Sequence, residues 1–141
     1  MTSDLQLDYH GLFRNLSAAA ERAGFKVNVF DAGAGIKQLV LSRESGECRP
    51  HCYLSSGMHG DEPAGPHDVL KLLEDPYFDE RANWHILPLL NPSGLMSGTR
   101  ENADGMDLNR DYRHGKSKEV SWHLEWLQGL DINFNISLCL H

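Results

Sequence analysis

HCYLSSGMHGDEPAGPHDVLKLLED, residues 51–75, holds the key to how this chain folds. Its first seven residues, HCYLSSG, read as an apolar strand. Its last fourteen, EPAGPHDVLKLLED, carry Val69, Leu70, Leu72 and Leu73 at helical spacing. Pro63 suits the first turn of that helix, where a missing N–H costs nothing. Between strand and helix, His59, Asp61 and Glu62 sit among Gly57, Gly60 and Gly65, which let the backbone turn sharply and approach a ligand closely. The stretch is therefore a strand–turn–helix unit whose turn carries chemistry.

Outward from this unit, the pattern repeats. Residues 9–23 read as an amphipathic helix stopped by Gly24, and 25–33 and 36–44 as two strands joined by the glycine-rich AGAG. Residues 83–91, NWHILPLLN, are a fourth strand. Residues 91–117 form a long, polar, glycine-punctuated segment, of a length that in a compact domain is usually functional or disordered. Residues 117–130 read as a helix with Ser117 as its cap and Val120, Leu124 and Leu127 on one face. In 132–141, Phe134, Ile136, Leu138 and Leu140 alternate with Asn133, Asn135, Ser137 and Cys139, the period of a strand. Strands alternating with helices predict an α/β fold with parallel strands. Ligands of such sheets collect where strands end and loops turn outward. Three features fall there: the HGDE turn, the long polar segment, and His141.

Bulk properties exclude several classes. The 141 residues fit one domain with a real core. A net charge of −7 with no basic block argues against nucleic acid or an anionic membrane as partner. No basic n-region followed by an apolar run marks a signal peptide, and no apolar stretch approaches the ~20 residues of a membrane span. Cys48, Cys52 and Cys139 are odd in number and lack a CxxC pair, so a disulfide framework is not expected and a reducing cytoplasm is the default location.

Of the eight histidines, His59 alone has an acid three residues on, Glu62. Histidine nitrogen and carboxylate oxygen suit catalytic zinc, which takes three protein ligands and leaves a fourth position open. Glu62 equally suits a helix N-terminus. His141 is the natural third ligand, although it equally reads as an ordinary terminal histidine; His51 and His85 are fallbacks inside strands. In the polar segment, GTREN places Arg100 and DLNR places Asn109 and Arg110. An arginine fork beside a cation suits a carboxylate ligand or a developing oxyanion. The plainer alternative is a salt bridge from Arg100 or Arg110 to Glu101, Asp104, Asp107 or Asp111.

Taken together, GMHGDEPAG, NPSGLMSGTRENADGMDLNRDY and the strand ending LCLH, spread over residues 57–141, resemble the zinc carboxypeptidase family, in the bacterial branch that includes murein peptide amidases. The resemblance implies a mixed, partly parallel twisted sheet flanked by helices. It implies zinc held by His59, Glu62 and His141, Arg100 polarising the scissile carbonyl, and Asn109 and Arg110 binding the substrate's terminal carboxylate. The implied activity is hydrolysis of a C-terminal amino-acid or peptide amide bond. The substrate class is a peptide or acylated amino acid with a free carboxylate. In this family the general-base glutamate lies beyond the third zinc ligand. Residues 1–141 are thus expected to form the N-terminal part of a single catalytic domain, inactive or weakly active alone, with strand 132–141 exposed as a sheet edge. Asp61 and Glu101 are substitute bases that no spacing singles out. Two other readings stand beside this one: a zinc deacylase of the succinylglutamate desuccinylase and aspartoacylase type, which shares HGDE and DLNR, and a binding half-domain without turnover.

Overall fold

The structure, a computed structural model, describes residues 7–31, 36–75 and 77–141. Helix α1 (Tyr9–Arg22) starts at Asp8, whose carboxylate accepts from the Gly11 amide, and buries Tyr9, Leu12, Leu16, Ala19 and Ala20 along one stripe. Strands β1 (Lys26–Asp31) and β2 (Lys37–Arg43) pair antiparallel; the AGAG connection between them lies outside the described residues. Then come β3 (His51–Ser56), α2 (Ala64–Glu74) and β4 (Asn83–Leu87). Two short helices follow, α3 (Pro92–Ser97) and α4 (Leu108–Asp111), before α5 (Lys118–Gly129) and β5 (Ile136–Leu140).

The strands form one sheet in the order β1-β2-β4-β3-β5. The β2–β4 pair is antiparallel, and β3 runs parallel to both β4 and β5. From β3 the chain crosses through α2 to β4 on one side. From β4 it crosses back through α5 to β5 on the other. The two crossovers cover opposite faces, so the carboxyl ends of β3 and β5 flank the point where the winding reverses, the usual ligand crevice of an open α/β sheet. One face packs Leu39, Leu41, Leu54 and Ile86 against α1 and α2. The other packs Val40, Tyr53 and Leu87 against Leu108 and Val120, with Trp122 and Trp126 partly buried around them. The mixed, partly parallel α/β sheet flanked by helices is thus the observed architecture.

Three expectations shift in detail. β4 ends at Leu87 rather than 91 because Pro88 supplies no amide. The chain nevertheless stays zipped to β3, with the Leu90 amide donating to the Ser56 carbonyl and the Asn91 amide to that of Gly57. The polar segment 91–117 is not a plain loop. Asn91 caps α3 with proline in its first turn, Asp107 caps α4, and Asn91–Leu95, Asn102, Leu108, Asp111 and Ser117 are buried. β5 begins at Ile136, and its alternating apolar set is not buried as a set: Leu140 packs on the core, but Ile136 and Leu138 are each 52% exposed on this edge strand. The three cysteines are free thiols, and among the described residues no helix is long and apolar enough to cross a membrane.

Candidate active site

The turn after β3 is held by backbone contacts. Gly57 leaves the strand at φ +73°, a left-handed conformation that favours glycine. Gly60 lies so close to the first turn of α3 that a Cβ there would meet the Gly94 carbonyl carbon at 1.9 Å. The fully buried Asn91 joins three segments. Its Oδ1 accepts from the Gly94 amide, while its Nδ2 donates to the Met58 carbonyl at 3.1 Å and the Arg100 carbonyl at 3.3 Å. Within the turn the Glu62 amide donates to the His59 carbonyl, so both side chains project to one side. His59 is 3% exposed, and its Nδ1 lies 3.2 Å from Glu62 Oε2.

His141 reaches the same place from β5. The register sets Leu140 against Ser56, so the residue after each strand end faces the same rim. The His59 and His141 rings lie with centroids 5.5 Å apart. One ligand atom from each of His59, Glu62 and His141 falls within 4.8 Å of the others, and among the described residues this is the group suited to a metal ion. His51 and His85, the fallback ligands, sit elsewhere. His51 opens β3 at its far end, and its Nδ1 is 3.1 Å from His85 Nε2.

Asp107 organises the rest. Its Oδ1 accepts from His59 Nε2 at 3.2 Å and from the Asn109 amide at 3.0 Å, and its Oδ2 accepts from Arg100 Nε at 3.1 Å. Burial raises the Asp107 pKa, but the hydrogen bonds from His59, Arg100 and the Asn109 amide outweigh it and hold the carboxyl below the ordinary value of 3.8. With Nε2 donating, a neutral His59 presents its lone pair at Nδ1, facing a carboxylate oxygen 3.2 Å away. Two lone pairs at that distance call for a cation or proton between them. Tetrahedral zinc with bonds of about 2.1 Å spaces its ligands about 3.4 Å apart. The donor set, its spacing and the carboxylate behind His59 therefore fit zinc.

Of the residues singled out in the sequence, His59, Glu62 and His141 converge, and Arg100 joins them through Asp107. Asn109 and Arg110 lie within α4 beside the same carboxylate, with Arg110 exposed. By sequence alone Asp107 is one of four salt-bridge partners open to an arginine, and nothing in the spacing marks Asn91 as part of the site. The cap signals were present: an asparagine before proline, and an aspartate before a short helical run, are cap positions.

Two imidazoles and a carboxylate meet at one rim, backed by a second carboxylate and an arginine, and comparison with known proteins gives the family. Residues 48–128 match the succinylglutamate desuccinylase/aspartoacylase catalytic domain, and the chain belongs to that family. It is 32% identical over 119 residues to carboxypeptidase SOL1 of Arabidopsis thaliana, covering 67% of this chain and 23% of that protein. It is also 32% identical over 87 residues to murein peptide amidase A of Escherichia coli K12, covering 62% of this chain and 33% of that protein. Among solved structures, a protein of Shewanella denitrificans OS217 assigned to the metallopeptidases superposes with a TM-score of 0.78 at 32% identity, over 87% of this chain and 47% of that one. An aspartoacylase-family protein of Mesorhizobium loti shares the fold, with a TM-score of 0.64 at 21% identity over 82% of this chain and 43% of that one. The resemblance read from residues 57–141 is borne out. The chain spans 23% and 33% of these curated relatives and about half of the Shewanella structure.

Proposed function

We infer that this chain carries the zinc-binding and carboxylate-binding part of a hydrolase that cleaves an amide bond next to a free carboxylate, in the manner of a metallocarboxypeptidase or peptide amidase. The carrying observation is that the His59, Glu62 and His141 ligand atoms lie within 4.8 Å of one another while Asp107 bonds both His59 and Arg100. Zinc, when bound, supplies Lewis acidity that polarises a carbonyl and acidifies water. The chain's own residues do the rest. Asp107 commits His59 Nε2 to donation and so keeps Nδ1 available as a ligand atom. Arg100 gives its Nε to Asp107, and its terminal nitrogens donate to the carbonyl oxygen as negative charge grows there, an interaction commonly worth ~3–4 kcal/mol. Asn109 and Arg110 hold the substrate's carboxylate and so position the scissile bond.

The names of the two curated relatives favour peptide substrates. The family match favours a second reading, hydrolysis of N-acyl amino acids by the same residues. Both substrates present an amide beside a carboxylate. Assays of peptides with a free C-terminus, the same peptides amidated, and N-acyl amino acids separate the two. The metal centre is tested by metal analysis: stoichiometric zinc in the wild type and none in His59→Ala supports the ligand set, whereas zinc retained in His59→Ala overturns it. Carboxylate binding without turnover would make this a binding domain instead.

A further inference from the structure

The face of the sheet opposite α1 and α2 holds a buried hydrogen-bonded chain that the reading above leaves unused. Tyr53 Oη on β3 lies 2.7 Å from His123 Nε2 on α5, and Tyr112 Oη, one residue past α4, lies 2.6 Å from His123 Nδ1. His123 is 4% exposed, and burial pushes its pKa down to about 4, so the ring is neutral near pH 7. A neutral imidazole has one donor and one acceptor. One phenol therefore donates to it and the other accepts, and both nitrogens are satisfied. Placing three polar groups where apolar side chains could pack is not expected to add stability by itself.

What the trio connects gives it a use. α4 has four residues, too few to hold its own conformation. It carries Asn109 and Arg110, and its geometry is imposed from outside. In front, Asp107 caps it and bonds His59. Behind, Asp111 accepts from the Lys116 amide at 3.0 Å and the Ser117 amide at 2.7 Å, and Ser117 in turn caps α5. Tyr112 then ties the exit of α4 through His123 to Tyr53, on the strand that delivers His59.

We propose that His123, bridging Tyr112 and Tyr53, is a positioning residue that sets the Asn109–Arg110 pair relative to His59 and thereby the enzyme's selectivity for substrates with a terminal carboxylate. The proposal rests on reading Asn109 and Arg110 as the carboxylate-binding pair. It goes beyond that reading in locating what aligns them.

The test uses the zinc-loaded protein and three variants. Tyr112→Phe deletes one bond and keeps the ring. His123→Phe deletes both bonds. His123→Gln keeps one donor and one acceptor. For a peptide with a free C-terminus, KM rises about tenfold in Tyr112→Phe and His123→Phe with kcat within about twofold, and His123→Gln recovers most of the loss. KM for the amidated peptide does not move. An unchanged KM in Tyr112→Phe, or equal loss on both peptides, overturns the proposal and leaves a packing role. If the wild type neither binds nor cleaves carboxylate-terminated peptides, the functional reading fails. Amide hydrogen exchange then decides the positioning claim. Exchange at least about tenfold faster over residues 108–112 in Tyr112→Phe, with 51–56 unchanged, supports it, and unchanged or uniformly faster exchange overturns it.

Discussion

Replacing Asp107 with asparagine removes one charge and leaves the shape. Its carboxylate takes three hydrogen bonds, from His59 Nε2 at 3.2 Å, Arg100 Nε at 3.1 Å and the Asn109 amide at 3.0 Å. An asparagine side chain has a single oxygen, so it cannot accept from Arg100 on one side and from His59 and Asn109 on the other. If the oxygen keeps the Arg100 side, the amide NH2 faces His59 Nε2, which must then accept. The proton moves to Nδ1, the atom that faces Glu62 at 3.2 Å, and the ligand lone pair is lost. If the oxygen keeps His59 and the Asn109 amide, the NH2 confronts Arg100. Losing such an outer partner of a metal-bound histidine typically costs 10–100-fold in metal affinity, on the order of 1.4–2.7 kcal/mol. Asp107 is 22% exposed, so water replaces part of what is lost and the lower end, about tenfold, is expected. Zinc affinity measured by chelator competition should fall by that factor in Asp107→Asn, while the thermal transition moves by only a few degrees. Wild-type zinc affinity in Asp107→Asn would refute the idea that this carboxylate orients the ligand, whatever it does to Arg100.

Other consequences follow from the same geometry. If His59, Glu62 and His141 are the three protein ligands of a zinc ion, His141→Ala and Glu62→Gln should each abolish stoichiometric zinc, read by metal analysis. Gly60→Ala should give little folded protein, since the new methyl would overlap the backbone of Gly94, which a rotamer change cannot relieve; a soluble variant with an unchanged urea midpoint would show that the two backbones can part freely. His123 has its folded pKa near 4 against an ordinary 6.5, so protons bind the unfolded chain better. Its contribution is present in full above pH 6.5 and is lost as pH falls toward 4, by up to about 1.4 kcal/mol per unit. Denaturant unfolding should therefore show wild type losing stability relative to His123→Gln on acidification through that window, and a constant difference would exclude the neutral buried ring.

The strand–turn–helix reading of residues 51–75 was legible because each part obeys a local rule: an apolar run, a glycine-rich turn, then helical spacing behind a proline. The five strands and the three longer helices were legible for the same reason. The short helices α3 and α4 were hidden, because six and four residues are too few to show an apolar period and their caps, Asn91 and Asp107, are polar residues in a polar segment. Which acid would pair with Arg100 was also hidden. Glu101, Asp104, Asp107 and Asp111 are equivalent by spacing. Asp111 faces back toward Lys116 and Ser117, and Asp107 faces His59, only once the chain is folded. The convergence of His141 with His59 was legible only as a strand-end expectation that left an ordinary terminal histidine open, since no local rule links residues 82 positions apart; the resemblance supplied the ligand set. Ile136 and Leu138 show the converse: a strand's period predicts which residues share a face, and says nothing of whether another element covers that face.

The residues of the site are set by polar and backbone contacts at the rim as well as by the core, which anchors the rim through Met58, Leu95 and Leu108. Leu54 and Ile86 fix where β3 and β4 run, but the chain beyond their ends is held by amides and small residues: Asn91 to Met58 and Arg100, Gly60 against Gly94, Ser56 to the Pro88 carbonyl. Substituting a core leucine away from the rim should therefore lower stability by ~2–5 kcal/mol while zinc affinity of the surviving folded protein holds. Asn91→Ala should do the reverse in proportion. It removes two donations that tie the turn bearing His59 to the loop bearing Arg100, so ligand geometry loosens more than the fold does. The position of the candidate metal ligands thus depends on the rim contacts, and the sheet's part is to bring the ends of β3 and β5 side by side.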